Sequence, residues 1–454
     1  MTSARIIVGP KSFTSIDCME HRRRLLMGLG AGAAAAAAVS WKLWPEQGWM
    51  NPCQPDLPSS VRNHDIVRAA WEGISPERVW DCHAHLVGTG DSGSGIWLNP
   101  AMHSPRAPLQ YAQRLFFLNA GCAHEQPREV DRTYVERMKT LLTGLRPGSK
   151  LMLMAFDHTY DAEGKQDLAR TAFHTPNAYA ARTAASAPQH FEWMASVHPY
   201  RADCVEAMEW AARNGARAVK WLPPAMGIDP ASARCDRFYE AARRLDLPLL
   251  THAGQERAVH GANEHDMGNP LRLRRALEHK VKVIVAHCAT MGEDRDIDKG
   301  TDAPHVPSFE LFTRLMDDPR YEGRLFGEIS AVTQLNRAGP FLHRILQRTE
   351  WHSRLLNGSD YPLPGIMPLF SVDTLAERGF LDKSSTTILK EIRPYNPLLF
   401  DFVLKRELRS QGRRFAADVF HTRDFFARAA SANAASISAA AHRTGSSSAS
   451  QEAH

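Results

Sequence analysis

Between residues 76 and 407 one pattern recurs along the chain: a short apolar run, a polar turn, then an amphipathic stretch with apolar side chains three and four apart. The apolar runs are "RVWDCHAHL", "KLMLMAFD", "FEWMASVHP", "ARAVKWLPP", "LPLLTHAG", "VKVIVAHC", "RLFGEISA" and "RLLNGSD", eight in all. Between them lie stretches of helical period such as "RADCVEAMEWAARNG", "ASARCDRFYEAARRLD", "NPLRLRRALEHK" and "PSFELFTRLMDDP". Strand and helix alternating this often implies a parallel sheet, because parallel neighbours need a crossover. Eight such units favour an α/β fold of the closed (β/α)8 TIM-barrel type. The alternative, an open doubly wound sheet, would carry a glycine-rich phosphate loop after an early strand, and the sequence has none. Residues 87–145 are too many for a plain loop, so a helix around "REVDRTYVERMKTLL" and a flap over the site are expected there. "YNPLLFDFVLKRELR" reads as a final helix closing the barrel, with Leu398, Leu399 and Phe402 facing inward.

The two ends of the chain break this pattern. In "HRRRLLMGLGAGAAAAAAVSW" a basic stretch precedes an uncharged Gly/Ala/Leu run, the layout of an export signal. Arg22 and Arg23, followed by Arg24, Leu25 and Leu26, resemble a twin-arginine signal. An uncleaved anchor is the other reading, since "LLMGLGAGAAAAAAVSWKLW" approaches the roughly 20 residues a span requires. Either places the protein in the periplasm or tethers it to the membrane facing the periplasm. The expected organisation is therefore an export signal or anchor over 1–45, a linker over 46–75, a catalytic barrel over 76–410 and an extension over 411–454. The last part, "ASANAASISAAAHRTGSSSASQEAH", has no apolar period and is expected to be disordered.

Composition adds little beyond exclusions. Of 454 residues, 43% are hydrophobic and 23% charged, which rules out a disordered chain. The net charge of +5 is carried partly by Arg22, Arg23 and Arg24, and elsewhere basic and acidic residues interleave. A small-molecule substrate is thus expected and no nucleic-acid partner; a homodimer and a membrane tether stay open. The seven cysteines, odd in number and irregularly spaced, do not read as a disulfide framework. Cys82 and Cys288 are expected to be small buried strand residues.

The chemistry is read from where polar residues interrupt the runs. On a strand, His83 and His85 point to one face while Cys82 and Ala84 point to the other. His83 and His85 end the first run, Lys220 the fourth, His252 the fifth, His287 the sixth and Asp360 the eighth. In such a barrel those ends meet at the mouth where chemistry sits. Each residue has a plain reading by itself: a core histidine, a turn-forming aspartate, a lysine that snorkels out. Packing does not require polar residues at the same end of five strands of eight, and leaving them unpaired there carries a desolvation penalty. A divalent cation removes that penalty, and imidazole with carboxylate supplies the donors that zinc, manganese or iron accept.

The ordered set "DCHAHL", "VKW", "LLTHAG", "VIVAHC" and "NGSDYP" resembles the amidohydrolase superfamily of metal-dependent hydrolases, in the branch that includes aminocarboxymuconate semialdehyde decarboxylase. The resemblance implies that His83, His85, His252 and Asp360 are metal ligands. It makes His287 a second-metal ligand or the residue that orients or deprotonates the attacking water. Lys220 stands where two-metal members carry a carboxylated bridging lysine, but one-metal members also have lysines in such a context. One or two divalent ions are therefore expected, zinc first, with manganese or iron as alternatives. Residues 87–145, where selectivity would be set, match no member's pattern.

The expected activity is hydrolysis of a C–N or C–O bond in a small amide, lactone or ester. Asp360 would take the water's proton and pass it to the leaving group, and His287 would hold the oxyanion or the water. A decarboxylase working in the same site is the alternative, and Arg106, Arg257 and Arg337 are its candidate carboxylate anchors. A non-catalytic exported metal-binding barrel is the third reading, weakened by the completeness of the ligand set. Asp157 and His158, ending the second run, and His198 in "SVHPY" are candidates to line the substrate pocket. Glu328 divides evenly between supporting the site and forming a buried ion pair.

Overall fold

The computed structural model describes residues 45–123, 128–256, 258–300 and 302–427. The expected export signal, Arg257 and the Ala/Ser-rich tail lie outside the described residues. All eight apolar runs form strands. In chain order the strands are β1 (Trp80–His85), β2 (Trp97–Leu98), β3 (Lys150–Met154), β4 (Phe173–His174), β5 (Phe191–Met194) and β6 (Val219–Trp221), followed by β7 (Leu249–His252), β8 (Val283–Ala286), β9 (Glu293–Arg295), β10 (His305–Pro307), β11 (Leu325–Glu328) and β12 (Leu355–Leu356). The short pairs β2–β4 and β9–β10 are antiparallel additions that the apolar pattern does not announce.

The eight main strands run parallel in two sheets, β1-β3-β5 and β6-β7-β8-β11-β12. The regular ladder is interrupted at two seams, each crossed by an isolated parallel bridge: Ala195 to Val219 at one, Ala84 to Tyr361 at the other. The strand order is therefore that of a β/α barrel whose β12 is too short to pair continuously. Inside, Trp80, Cys82, Met152, Met194, Leu250 and Ile284 make one apolar cluster. Outside, residues of opposite parity pack on the surrounding helices. Trp221 lies 4.3 Å from Phe238 of the helix Asp236–Arg244, while Lys220 between two such outward residues turns into the barrel.

Three expectations are corrected. Residues 46–75 are not a linker: helices Ser59–Arg62 and Asp65–Ala69 carry Val61 and Val67 into the core, and the Trp71 ring packs tilted against that of Phe402 at 4.3 Å. Residues 411–427 belong to the fold. Phe415, Val419 and Phe420 are buried, Thr422 Oγ1 accepts from Trp80 N at 3.0 Å, and Phe426 joins the interior cluster. Aromatic side chains that close one end of a barrel need no helical or strand period, so the pattern conceals them. Finally, Cys53 and Cys122 form a disulfide with Cα atoms 5.7 Å apart across 69 residues of chain, while Cys82, Cys204, Cys235 and Cys288 are free and buried. The long segment after β1 does hold the expected helix, Val130–Thr143, and before it a cap helix, Pro108–Ala120. Among the described residues no helix is long and apolar enough to cross a membrane.

Candidate metal centre

Strand β1 aims its histidines through a bulge. Its pairing with β3 slips between Asp81 and Ala84, so two residues of β1 oppose one of β3. Cys82, expected to face away, therefore packs inside with Trp80 and Met152, and His83 and His85 still reach the mouth. Asp81 Oδ1 accepts from His83 N at 3.1 Å and from Ser359 N at 2.8 Å, which ties this bend to the turn that carries Asp360. Asp360 has φ 61°, and His287, Cys288 and Ala289 at the end of β8 have φ 55°, 50° and 50°. Left-handed backbone at non-glycine residues costs about 1–2 kcal/mol each, and such outliers gather where side-chain placement matters more than local stability.

The polar groups converge on the Asp360 carboxylate. Its Oδ1 lies 3.1 Å from His85 Nε2 and 3.3 Å from His83 Nε2, and its Oδ2 lies 3.6 Å from His287 Nε2. Behind them, His83 Nδ1 donates to Glu328 Oε2 at 3.0 Å and His287 Nδ1 donates to Ser330 O at 2.9 Å. Ser330 Oγ donates to Glu328 Oε2 at 2.8 Å. Glu328 Oε2 also accepts from His287 N at 3.3 Å. These tautomers are the ones the hydrogen-bond network assigns, and they leave both Nε2 lone pairs facing the carboxylate. Glu328 thus supports the site, settling the choice the sequence left even.

This arrangement fits a divalent cation. Donors sharing one ion at about 2.1 Å stand about 3.0 Å apart at right angles and about 3.4 Å apart at the tetrahedral angle. Two of the contacts around Asp360, at 3.1 and 3.3 Å, fall in that range, and the third, at 3.6 Å, lies just beyond it. His83, His287 and Asp360 each offer a ligand atom within 4.8 Å of the others, and all three are buried. A second partner behind each imidazole is the usual companion of metal-binding histidine. Burial alone pushes the Asp360 carboxyl up, but His83, His85 and His287 overrule it and hold it well below the ordinary range. Burial pushes His83 and His287 down against the pull of Asp360, which favours the form able to donate a lone pair to a metal.

The other expected residues divide. Lys220 Nζ lies 3.2 Å from His83 Nε2, and burial pushes its ammonium down to about 8 against the pull of Asp360 and Glu328. His252 lines the same cavity with its ring 5.5 Å from that of His287, but it is not one of the three grouped residues. Its Nε2 is turned 3.2 Å from Gln255 O, its Nδ1 stands 3.5 Å from Glu256 Oε2, and burial pushes it down to about 4. The turn after β7 supplies these local partners, which a strand pattern cannot foresee. Arg106 is exposed and does not line the cavity. Arg337 is buried near the site, with Nη1 3.4 Å from Thr290 Oγ1, outside the cavity wall. His158 stacks 3.9 Å from His174 and also stands outside the wall. His198 is fully buried with one ring nitrogen on Met226 O and the other accepting from Tyr200 N, and Asp157 accepts from His198 N and pairs with Arg201. His198 and Asp157 thus serve the backbone and an ion pair, Arg106 faces solvent, and Arg337 and His158 are not among the residues that line the cavity.

Beyond the polar floor the cavity is apolar. Ile96, Leu98, Met102, Phe117, Phe173 and Leu363 wall it, with a single arginine among the described lining residues, Arg114. Arg114 Nε donates to Met102 O at 2.9 Å, which fixes the side chain against the wall. Sequence reading missed it because nothing in a helix outside the barrel repeat says which face turns inward.

A family model described as amidohydrolase matches residues 80–365, well over half of the chain. No curated protein matches. Among solved structures, the chain is similar to an uncharacterised TIM-barrel protein from Bordetella bronchiseptica at 15% identity and TM-score 0.42, covering 69% of this chain and 98% of that one. It is similar to 5-carboxyvanillate decarboxylase from Sphingomonas paucimobilis at 14% identity and TM-score 0.39, covering 72% and 96%. It is also similar to N-isopropylammelide isopropylaminohydrolase from Burkholderia multivorans at 13% identity and TM-score 0.35, covering 74% and 85%.

Proposed function

The chain belongs to the amidohydrolase family, and from that premise we propose that it is a metal-dependent hydrolase of small, largely apolar amides, lactones or esters. The observation that carries this reading is the single carboxylate, Asp360, shared by three imidazole Nε2 atoms at the floor of a cavity. His83, His287 and Asp360 would hold the cation, with His85 completing the set. Zinc is the proposed metal, one ion per chain, on the strength of an all-nitrogen-and-oxygen donor group with near-tetrahedral spacing. When bound, such an ion supplies Lewis acidity that polarises a carbonyl and makes water acidic near neutral pH.

The chain's own groups do the rest. Asp360, ionised at neutral pH, accepts the proton of the attacking water and returns it to the leaving group. His287, locked by Ser330 O, keeps its Nε2 turned to the position the cation would take. Glu328 holds His83 in the tautomer that leaves Nε2 open. The apolar wall excludes water from the substrate body. Motif order supports a place in the aminocarboxymuconate semialdehyde decarboxylase-like branch of the superfamily. Export to an oxidising compartment is supported by the basic-then-apolar leader and by the Cys53–Cys122 bridge, since disulfides persist where thiols are not kept reduced.

The test is incubation of the metal-loaded protein with panels of lactones, amides and aromatic carboxylates. Hydrolysis of one of the first two is expected; CO2 from the third with no hydrolysis would replace this reading by the second. That second reading, a decarboxylase, is favoured by one observation: Arg114 places a guanidinium in an otherwise apolar wall, a partner for a substrate carboxylate. Arg114→Leu should raise KM for anionic substrates by about ten- to a hundredfold and leave neutral ones unchanged.

A further inference from the structure

The cap helix Pro108–Ala120 is apolar on both sides. At 100° per residue Arg114, Phe117 and Leu118 share the face that lines the cavity, and Leu109, Ala112 and Leu115 lie on the opposite one. Leu109 is 68% exposed and Leu115 39%. A helix hydrophobic all round is ordinarily buried on all sides. The large exposed hydrophobic residues among those described are Trp49, Met50, Leu109, Leu115, Leu168, Ile297 and Leu335. The first five belong to segments joined at this helix.

The connections are specific. Asn51 N donates to Asn119 Oδ1 at 2.7 Å, Asn119 Nδ2 donates back to Asn51 O at 3.0 Å, and Cys53 is bonded to Cys122. Trp49 and Met50 therefore enter the domain beside the end of the cap helix. The Leu168 carbonyl accepts from Asn99 Nδ2 at 3.3 Å, and Asn99 caps the turn Pro100–His103. That turn is fastened to the cap helix by the bond from Arg114 Nε to Met102 O.

We infer that this rim docks on a lipid bilayer. The chain leading into Trp49 carries a long uncharged apolar run, a composition suited to a lipid membrane. Tryptophan at the entry point is the side chain that favours the headgroup level. The exposed Arg106 precedes the cap helix and adds a cation at the same rim. On the reading of the cavity as the substrate site, which this consequence rests on, docking leaves the cavity one helix away from hydrocarbon and lets apolar substrates enter from the membrane.

The full-length chain, with and without vesicles of phosphatidylethanolamine and phosphatidylglycerol, should be compared by hydrogen exchange read by mass spectrometry. Vesicles should slow exchange across residues 108–116 by about tenfold, and the double variant Leu109→Glu/Leu115→Glu should abolish that slowing while leaving turnover of a water-soluble substrate unchanged. Slowing confined to residues before 45, or none at all, overturns the proposal. Slowing of 108–116 that grows with protein concentration in the absence of lipid also overturns it, because a second copy of the chain then covers the rim. None of these readouts depends on the reaction catalysed, so failure of the docking surface is separable from failure of the hydrolase reading.

Discussion

Asp360 and Asp401 are both buried carboxylates, 4% and 2% exposed, and they behave in opposite ways. Burial pushes Asp401 up to about 7, outweighing the Lys405 ammonium 2.6 Å away. Asp360 is held well below the ordinary range by three imidazoles from two strand ends, those of β1 and β8. Lys405 is enclosed on the helix Pro397–Glu407 and gives a second bond to Gly358 O at 2.5 Å, which steadies the turn that carries Asp360. Lys405, the partner of Asp401, thus spends its bonds within the protein, whereas the partners of Asp360 line a cavity. The contrast teaches that burial of charge does not mark a function by itself. What marks it is convergence of distant groups on one point with donor capacity left over.

Substitutions can break this contrast at either end. Asp360→Asn should lower kcat about a thousandfold or more while the far-ultraviolet circular dichroism spectrum is unchanged, because the proton acceptor is lost and the fold is not. Lys405→Met should do the reverse, costing about 3 kcal/mol of unfolding free energy in urea titrations near pH 8. That cost should shrink near pH 5, where Asp401 takes up a proton and no buried charge is left unpaired. Glu328→Gln removes the carboxylate that fixes His83, and metal affinity by competition with a chelator should fall about ten- to a hundredfold.

The smallest effect concerns pH. Because the folded pKa of Asp401 is raised, its stabilising contribution is fully present below the unfolded carboxyl value of about 4 and is lost as pH rises through about 7. Asp401→Asn should flatten that decline when urea midpoints are compared with those of the unsubstituted chain across the same window. Asp360, with its pKa depressed, contributes in the opposite sense: its stabilisation is present above about pH 4 and is lost on acidification below it.

Much of this was legible in the sequence, for identifiable reasons. The eight apolar runs predict the eight parallel strands because burial on both faces leaves a continuous hydrophobic signature. His83, His85, Lys220, His252, His287 and Asp360 all reach one cavity, because strand ends in a barrel converge whatever lies between them. The orientation of individual rings was not legible. The bulge in β1 is a property of its pairing with β3, and His252 turns to partners on its own following loop. Ser330 and Glu328 act through a network spanning more than two hundred residues of chain, which no local pattern reports. Arg114 sits on a helix outside the barrel repeat, and the segment 411–427 buries aromatics without periodicity.

The proposed chemistry requires His83, His287 and Asp360 to share one ion. The direct test is elemental analysis of the chain purified without added metal, beside the His83→Ala/His287→Ala variant shown to be folded. About one equivalent of a divalent transition metal in the unsubstituted protein, and less than about a tenth of that in the variant, is the predicted result. Equal metal content in the two proteins, or a fully active chain that holds none, would contradict it.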